Sequence, residues 1–284
     1  MKGIQTTRPL LSVEVFPPKT PEGVTTLLDE LEQLKRFPLE YVSVTYGAGG
    51  ANQDRSLTLT RLILEELDLP VMPHFTCVGS SRVVILEFLR AMESMGITRI
   101  LALRGDPPQD QTNYQPAADA FRYASDLVTF LRAHSTMQIA VAAYPEKHPQ
   151  AETLETDMTH LRGKVDAGAC KIITQLFYDN SRYLEFVARA RRQGITIPII
   201  PGLLPLIQHQ QIEKFVKLSQ ASIPPALMKI IAQTEGNDLA MKTAGMDFAR
   251  RQIRELLAAG VPGIHFYTLN KSEIALQVLD EFFP

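Results

Sequence analysis

Short β-rich runs alternate along the chain with longer amphipathic stretches. The stretches, such as "GVTTLLDELEQLKRF" and "SRVVILEFLRAMESMG", carry apolar residues three or four positions apart, which is typical of helices with one buried face. The runs are short and rich in β-branched and aromatic residues, which favours strands. Eight strands are predicted, at residues 11–16, 41–46, 71–76, 99–104, 138–143, 171–176, 197–202 and 264–269.

The connections between these elements indicate a fold class. In "MESMGITRI", "VDAGACKII" and "ARRQGITIPII" a helix ends at glycine and a strand begins within two or three residues. A strand followed by a helix, eight times over, predicts a (β/α)8 TIM barrel. The segment 224–259 is longer than one crossover needs and predicts an extra helix before the last strand. An open doubly wound sheet is the alternative, and the evenly spaced eighth strand argues against it.

Composition narrows the class of protein. The chain has 284 residues, 45% of them hydrophobic, which is enough for two small domains or one large α/β barrel; because no linker divides it, we expect a single domain over residues 1–284. A formal charge of -2 gives no reason to expect nucleic acid or a membrane as partner. Cys77 and Cys170 lie far apart without metal-ligand spacing, so neither a disulfide framework nor a metal is expected. With no signal-like apolar core at the N-terminus, we expect a soluble cytoplasmic protein.

A carboxylate interrupts the first strand. Leu11, Val13 and Val15 alternate with Ser12 and Glu14, so Glu14 is predicted to face the barrel axis. Burial favours the protonated form of a carboxyl group, which can then act as a general acid. An internal ion pair, for instance with Arg104, explains the position equally well.

The fourth strand ends in "ILALRGDPP". By the period of two, Ile100, Ala102, Arg104 and Asp106 share one face, and Gly105 permits a sharp turn. Arg104 can hold a phosphate or carboxylate, and Asp106 can accept a hydrogen bond from a heterocycle. An Arg–Asp pair that braces the loop is the alternative interpretation.

Glycines follow the second strand in "SVTYGAGGANQDR". Gly47, Gly49 and Gly50 resemble the start of a dinucleotide-binding fingerprint, but Asn52 stands where its third glycine belongs. The loop can still lie against a ligand, although turn formation is the more frequent role. His74, in "PHFT", faces the same way as Met72 and Thr76, and a single histidine on a strand is more often a core residue than a ligand.

Further polar residues follow the fifth and sixth strands. "AAYPEKHP" supplies Tyr144 and His148, and without cysteine or a second close histidine it is a weak metal site. Asp157 and Lys164 lie two helical turns apart, a spacing that by itself predicts a solvated helix face. Gln175 is more informative, because an amide inside a barrel needs donor and acceptor partners and a heterocycle offers both.

These residues carry a family resemblance. In order along the chain, from about residue 11 to 272, the sequence resembles the methylenetetrahydrofolate reductases, flavoproteins of one-carbon metabolism with a barrel fold. The matching segments are "SVEVFPPK", "YVSVTYGA", "PHFTC", "LRGDPP", "YASDLV", "VAAYPEKHP", "KVDAGACKIITQLFYD", "IIPGLLP" and "HFYTLN". Nine segments in sequence, each near a predicted strand end, make the resemblance specific.

The resemblance implies roles for individual residues. Glu14 matches the general acid that helps open the five-membered ring of methylenetetrahydrofolate, Asp106 a carboxylate near the flavin and the pterin, and Gln175 an amide that binds the pterin. Tyr267 and Lys271 match positions near the folate, with Lys271 in place of a frequent arginine. Positions that match FAD-binding residues of the family, with Asp106 among them, are Thr45, His74, Arg104, Tyr123, Ala124, Ser125, Tyr144, His148, Asp157 and Lys164.

The implied reaction is a ping-pong reduction of methylenetetrahydrofolate to methyltetrahydrofolate by a reduced nicotinamide through FAD. His209 stands where some members carry a phenylalanine that stacks on both substrates, so NADH, which we favour, NADPH and a partner subunit that delivers electrons all stay open as donors. We also expect a homo-oligomer. Because the sequence ends at Pro284, we expect no regulatory domain like that of eukaryotic relatives. The alternatives are a flavin-free enzyme of the same family and a folate-binding barrel without redox turnover.

Overall fold

Eight parallel strands close into a barrel in chain order, so β1 pairs with both β2 and β8. A computed structural model describes residues 8–46, 53–106 and 117–284. The predicted barrel is thereby confirmed. The strands are β1 Leu10–Val15, β2 Leu39–Val44, β3 Val71–Thr76, β4 Arg99–Leu103, β5 Gln138–Ala143, β6 Lys171–Leu176, β7 Ile199–Leu203 and β8 Gly263–Tyr267.

A helical layer surrounds the strands. In the described ranges no helix is both long and apolar enough to cross a bilayer. Three helices, α7 to α9, separate β7 from β8, so the extra helical material predicted there is confirmed. The helices are α1 Pro21–Leu34, α2 Gln53–Leu67, α3 Arg82–Ser94, α4 Ala124–His134, α5 Leu154–Asp166, α6 Asn180–Arg192, α7 Ile212–Ser219, α8 Pro225–Gln233, α9 Asp238–Ala258 and α10 Ser272–Leu279.

Side-chain alternation on the strands produces two apolar cores. On β1, Leu11, Val13 and Val15 are fully buried between the barrel and the helices, which leaves Ser12 and Glu14 on the inner face as predicted. A separate inner core fills the barrel below the mouth. It consists of Tyr41, Met72, Leu101, Ala140, Ile173 and Ile200.

The fourth strand departs from the predicted pattern at its end. Ile100 and Ala102 pack in the outer core, but β4 stops at Leu103 and Gly105 has a φ of 79°. Ala102, Arg104 and Asp106 line one cavity, but Asp106 follows the turn at Gly105, so the loop and not the period of two brings it there. The left-handed turn at Gly105 directs the chain away from the strand.

Helix α9 packs closely against the segment that follows β7. Gly245 lies in the middle of α9 and is buried. A Cβ atom at this position would overlap the carbonyl oxygen of Leu206. Gly163, in α5, is also a helical glycine, yet a Cβ atom there would meet nothing within 4 Å.

We therefore predict that Gly245→Ala destabilises the protein and that Gly163→Ala does not. Overlap with backbone should cost about 1–3 kcal/mol of unfolding free energy at residue 245, whereas alanine should stabilise an open helical position by about 0.5–1 kcal/mol. Urea unfolding of both variants measures the difference. Equal midpoints for the two would show that α9 does not need this close approach.

Candidate active site

The carboxyl group of Glu14, on β1, lies near the carboxyl end of the barrel and contacts side chains of β8 and β3. Its Oε2 atom is 3.2 Å from Nε2 of His265 on β8 and 3.5 Å from Nε2 of His74 on β3. The Glu14 side chain keeps 18% of its surface exposed, while His265 is completely buried. A part-buried carboxyl group is thus held by two imidazole rings.

Hydroxyl groups bind both histidines. Ser12 Oγ lies 2.8 Å from Nδ1 of His265, and Ser43 Oγ lies 2.7 Å from Nε2 of His74. Burial lowers the pKa of His74 to about 4, against the opposing effect of Glu14. His74 is therefore uncharged at neutral pH, and a hydrogen-bonded polar cluster, not a permanent cation, surrounds the carboxyl group.

Arg104 is not the partner of Glu14. Its guanidinium group lies 3.4 Å from Asp106 Oδ1 and donates from Nε to the carbonyl oxygen of Gly105. The proposed ion pair between Glu14 and Arg104 is therefore wrong, and the bracing contact between Arg104 and Asp106 is present. Both residues still face a cavity, because the turn at Gly105 carries them over the end of β4.

A cavity of about 630 Å³ lies beside the barrel mouth, next to β4 and β5. Its size is that of a small-molecule or cofactor site. Two of the cofactor candidates lie outside its lining: Thr45 follows β2, where its amide donates to Val15, and His74 is inside the barrel. Nine candidates line the cavity: Arg104, Asp106, Tyr123, Ala124, Ser125, Tyr144, His148, Asp157 and Lys164.

Lys164 and Asp157 face this cavity from α5. Lys164 Nζ donates to the carbonyl oxygen of Ala142 at 2.6 Å, and Asp157 accepts a hydrogen bond from the His148 amide at 2.9 Å. Burial lowers the pKa of the Lys164 ammonium group to about 8, with Asp157 opposing that effect. A solvated helix face, the other interpretation of their spacing, is wrong for this pair.

Sequence reasoning missed two residues of the cavity wall, His160 and Arg189. The His160 ring stacks on Tyr123 at 5.5 Å. Arg189 Nε is buried and has no hydrogen-bond partner in the described part of the chain, and such a donor is one that a bound ligand can satisfy. Both residues lie on amphipathic helices. From helical periodicity alone, a polar side chain that faces a cavity looks the same as one that faces solvent, so these two could be identified only from the structure.

Three of the substrate candidates lie in different parts of the fold: Tyr267 on β8, Gln175 on β6 and Lys271 just before α10. Tyr267 is directly opposite Glu14 in the β1–β8 register and donates its hydroxyl proton to the Thr174 carbonyl oxygen at 3.0 Å. Burial raises the pKa of Tyr144, and a hydrogen bond with Gln175 partly offsets this rise. Because Tyr144 lines the cavity, Gln175 on β6 is in contact with the cavity wall. Lys271 precedes α10 and is exposed.

His209 is oriented toward the helices that follow β7. Its Nε2 lies 3.2 Å from the Ile231 carbonyl oxygen and 3.3 Å from Thr234 Oγ1, and its Nδ1 lies 3.9 Å from Asp238. In the described ranges it is not among the residues that line the cavity. The glycines 47, 49 and 50 and Asn52 lie outside the described residues.

A solved structure with the same barrel fold supports the architecture. An uncharacterized protein from Clostridium thermocellum, which binds two copies of 5-methyl-5,6,7,8-tetrahydrofolic acid, superposes with a TM-score of 0.69 at 16% identity, over 96% of this chain and 95% of that one. At this level of identity the likeness concerns the fold alone.

Curated relatives are much more similar in sequence. The 5,10-methylenetetrahydrofolate reductase of Escherichia coli (strain K12) is 36% identical over 268 residues, which cover 94% of this chain and 88% of the relative. Methylenetetrahydrofolate reductase (NADH) 1 of Arabidopsis thaliana is 35% identical, and there the match covers 94% of this chain but 47% of the relative. Since residues 1–282 also match the family described as methylenetetrahydrofolate reductase, the chain belongs to the methylenetetrahydrofolate reductase family.

Proposed function

We propose that this protein reduces 5,10-methylenetetrahydrofolate to 5-methyltetrahydrofolate, with FAD as bound cofactor and NADH as electron donor, in one catalytic domain over residues 1–284. The observation that carries the proposal is the part-buried carboxyl group of Glu14, held by two imidazoles inside a barrel whose mouth also has a cofactor-sized cavity. Membership of the reductase family gives the substrate class. The name of the Arabidopsis thaliana relative, which specifies NADH, supports NADH as the donor.

The residues around the cavity fit a flavin dinucleotide. Arg104, Lys164 and Arg189 supply positive charge for a pyrophosphate group. Tyr123 to Ser125 form the N-terminus of α4, an end of a helix that favours anions. Tyr123 and Tyr144 add aromatic surface for ring systems. When bound, FAD supplies a hydride carrier that accepts from the nicotinamide and donates to the folate.

Glu14 is the residue that we assign to proton transfer. Ring opening of methylenetetrahydrofolate needs a proton on the nitrogen that leaves the methylene carbon, and the iminium ion that results accepts hydride. A protonated Glu14 can give that proton, because its carboxyl group is part-exposed and one of its two imidazole neighbours, His74, is kept neutral by burial. The carboxylate that remains is stabilised by the same imidazole contacts.

Other side chains orient the two substrates. We assign Tyr267, opposite Glu14 in the β1–β8 register, and Gln175, on β6, to binding of the pterin. Asp106 adds a negative charge at the cavity wall. We assign Lys271 to the folate glutamate tail and His209 to stacking on the substrates. Nicotinamide and folate would use the same site in turn, which gives ping-pong kinetics. The enzyme would act in the cytoplasm as a homo-oligomer.

Glu14→Gln tests the assignment of the acid. Glutamine keeps the shape of the side chain but cannot donate the proton, so the folate half-reaction should slow by about 10²–10⁴-fold. Reduction of bound flavin by NADH, which needs no proton from residue 14, should stay within about twofold of wild type. Anaerobic stopped-flow absorbance follows both half-reactions. If both survive unchanged, Glu14 is not the general acid.

Lys164→Met tests the cofactor site. Loss of a charge-assisted contact should weaken FAD binding by about 10- to 100-fold, while Lys35→Met, at an exposed helix end, should leave the affinity unchanged. In the wild-type protein Lys164 is cationic below pH 8 and neutral above it, since burial lowers its pKa to about 8. FAD affinity should therefore fall as the pH rises from 7 to 9, and this fall should be absent in Lys164→Met. A common pH profile in fluorescence titrations of both proteins would exclude the assignment.

The same measurements separate the alternatives. Folate reduction by NADH in protein free of flavin would identify direct hydride transfer. Folate binding without oxidation of either nicotinamide would identify a non-redox barrel, or one that takes electrons from a partner subunit. Titration of the purified protein with NADH and then with NADPH shows which donor bleaches the flavin.

A further inference from the structure

His265 is a completely buried imidazole that touches Glu14 and has no role in the function proposed above. Its Nε2 atom lies 3.2 Å from Glu14 Oε2, and its Nδ1 atom lies 2.8 Å from Ser12 Oγ. Its ring meets Tyr267 edge to face at 5.2 Å. Contacts at both nitrogens fix the ring plane.

The contact with Ser12 bears on which nitrogen of His265 carries the proton. Ser12 Oγ is within hydrogen-bond distance of Nδ1, at 2.8 Å. When the Ser12 hydroxyl donates to Nδ1, the imidazole proton lies on Nε2 and is directed at Glu14. This tautomer is the one that satisfies both neighbours of the ring when Glu14 Oε2 accepts.

His74 does not replace this donor. Its Nε2 atom is closer to Ser43, at 2.7 Å, than to Glu14, at 3.5 Å. Ser43 donates to the Met72 carbonyl oxygen at 3.4 Å, so its oxygen is available to accept the proton of His74. His265 is thus the stronger hydrogen-bond donor to Glu14.

We propose that His265 is a positioning residue, which holds Oε2 of Glu14 as a hydrogen-bond acceptor and so keeps the acidic proton on Oε1. A protonated carboxyl group has one oxygen that donates and one that accepts. Since both side-chain contacts of Glu14 in the described ranges involve Oε2, Oε1 is the oxygen left for a ligand. This inference rests on the proposed function, because it specifies how Glu14 presents its proton to the folate.

Two substitutions of His265, which place a side-chain amide at different distances from the backbone, test the proposal. In His265→Gln the terminal amide reaches the position of Nε2 and can donate to Glu14, whereas in His265→Asn it reaches only the position of Nδ1, near Ser12. We expect His265→Asn to slow the folate half-reaction by about 10- to 100-fold and His265→Gln to restore it to within about fivefold of wild type. Flavin reduction by NADH and the dissociation constant of FAD should stay within about twofold in both.

A milder variant tests the same role if the His265 variants do not fold. Ser12→Ala removes the partner that keeps the His265 proton on Nε2, and it should slow the folate half-reaction by about 3- to 10-fold without a change in flavin reduction. Equal rates for the Asn and Gln variants, or unchanged rates in all three, would overturn the role of His265. Wild-type protein that reduces no methylenetetrahydrofolate would contradict the proposed function itself and, with it, this inference.

Discussion

Closure of the barrel between β1 and β8 is the constraint on which the site depends. It brings Glu14 and His265, 251 positions apart in the chain, into hydrogen-bond contact. Neither side chain has a local reason to be buried, because a carboxyl group or an imidazole inside an apolar layer is costly unless it is hydrogen-bonded. In a closed sheet the inward positions of the first and last strands face each other, and each group satisfies the other.

The closed sheet has an outer face that packs against the helices and an inner face that carries the polar side chains of the site. Residues that face the helices form the large outer core, while the inner face changes from apolar residues in the middle of the barrel to polar residues at its carboxyl end. On β2 this change takes place between Tyr41, in the inner core, and Ser43, which contacts His74. The loops after β4 and β5 then extend the polar surface outward into the cavity. Gly105 is essential to that extension, since a Cβ atom there would collide with Thr76 and its φ is 79°.

Periodicity in the sequence predicted the barrel and the inward direction of Glu14, because both follow from local alternation that barrel closure preserves. It could not predict His265, which alternates with apolar neighbours on β8 like an ordinary core residue and acquires a partner only when β8 meets β1. The suggested ion pair of Glu14 with Arg104 was wrong, because Leu103 lies against the inner core while Arg104 lines the cavity and contacts Asp106. For Asp157 and Lys164, helical spacing alone indicated solvent, whereas both side chains are part-buried and line the cavity.

The error about Arg104 shows what the site requires. A guanidinium group beside Glu14 would hold the carboxyl group in its ionised form, and an ionised carboxyl group has no proton to give. The fold instead pairs Arg104 with Asp106 and surrounds Glu14 with His74, which burial keeps neutral, and with His265. Arg104 thereby lies on the cavity wall with Lys164 and Arg189, where an anionic cofactor group would need positive charge. The acid inside the barrel and the cationic side chains of the cavity can then serve one barrel mouth, because the contact with Asp106 keeps Arg104 away from Glu14.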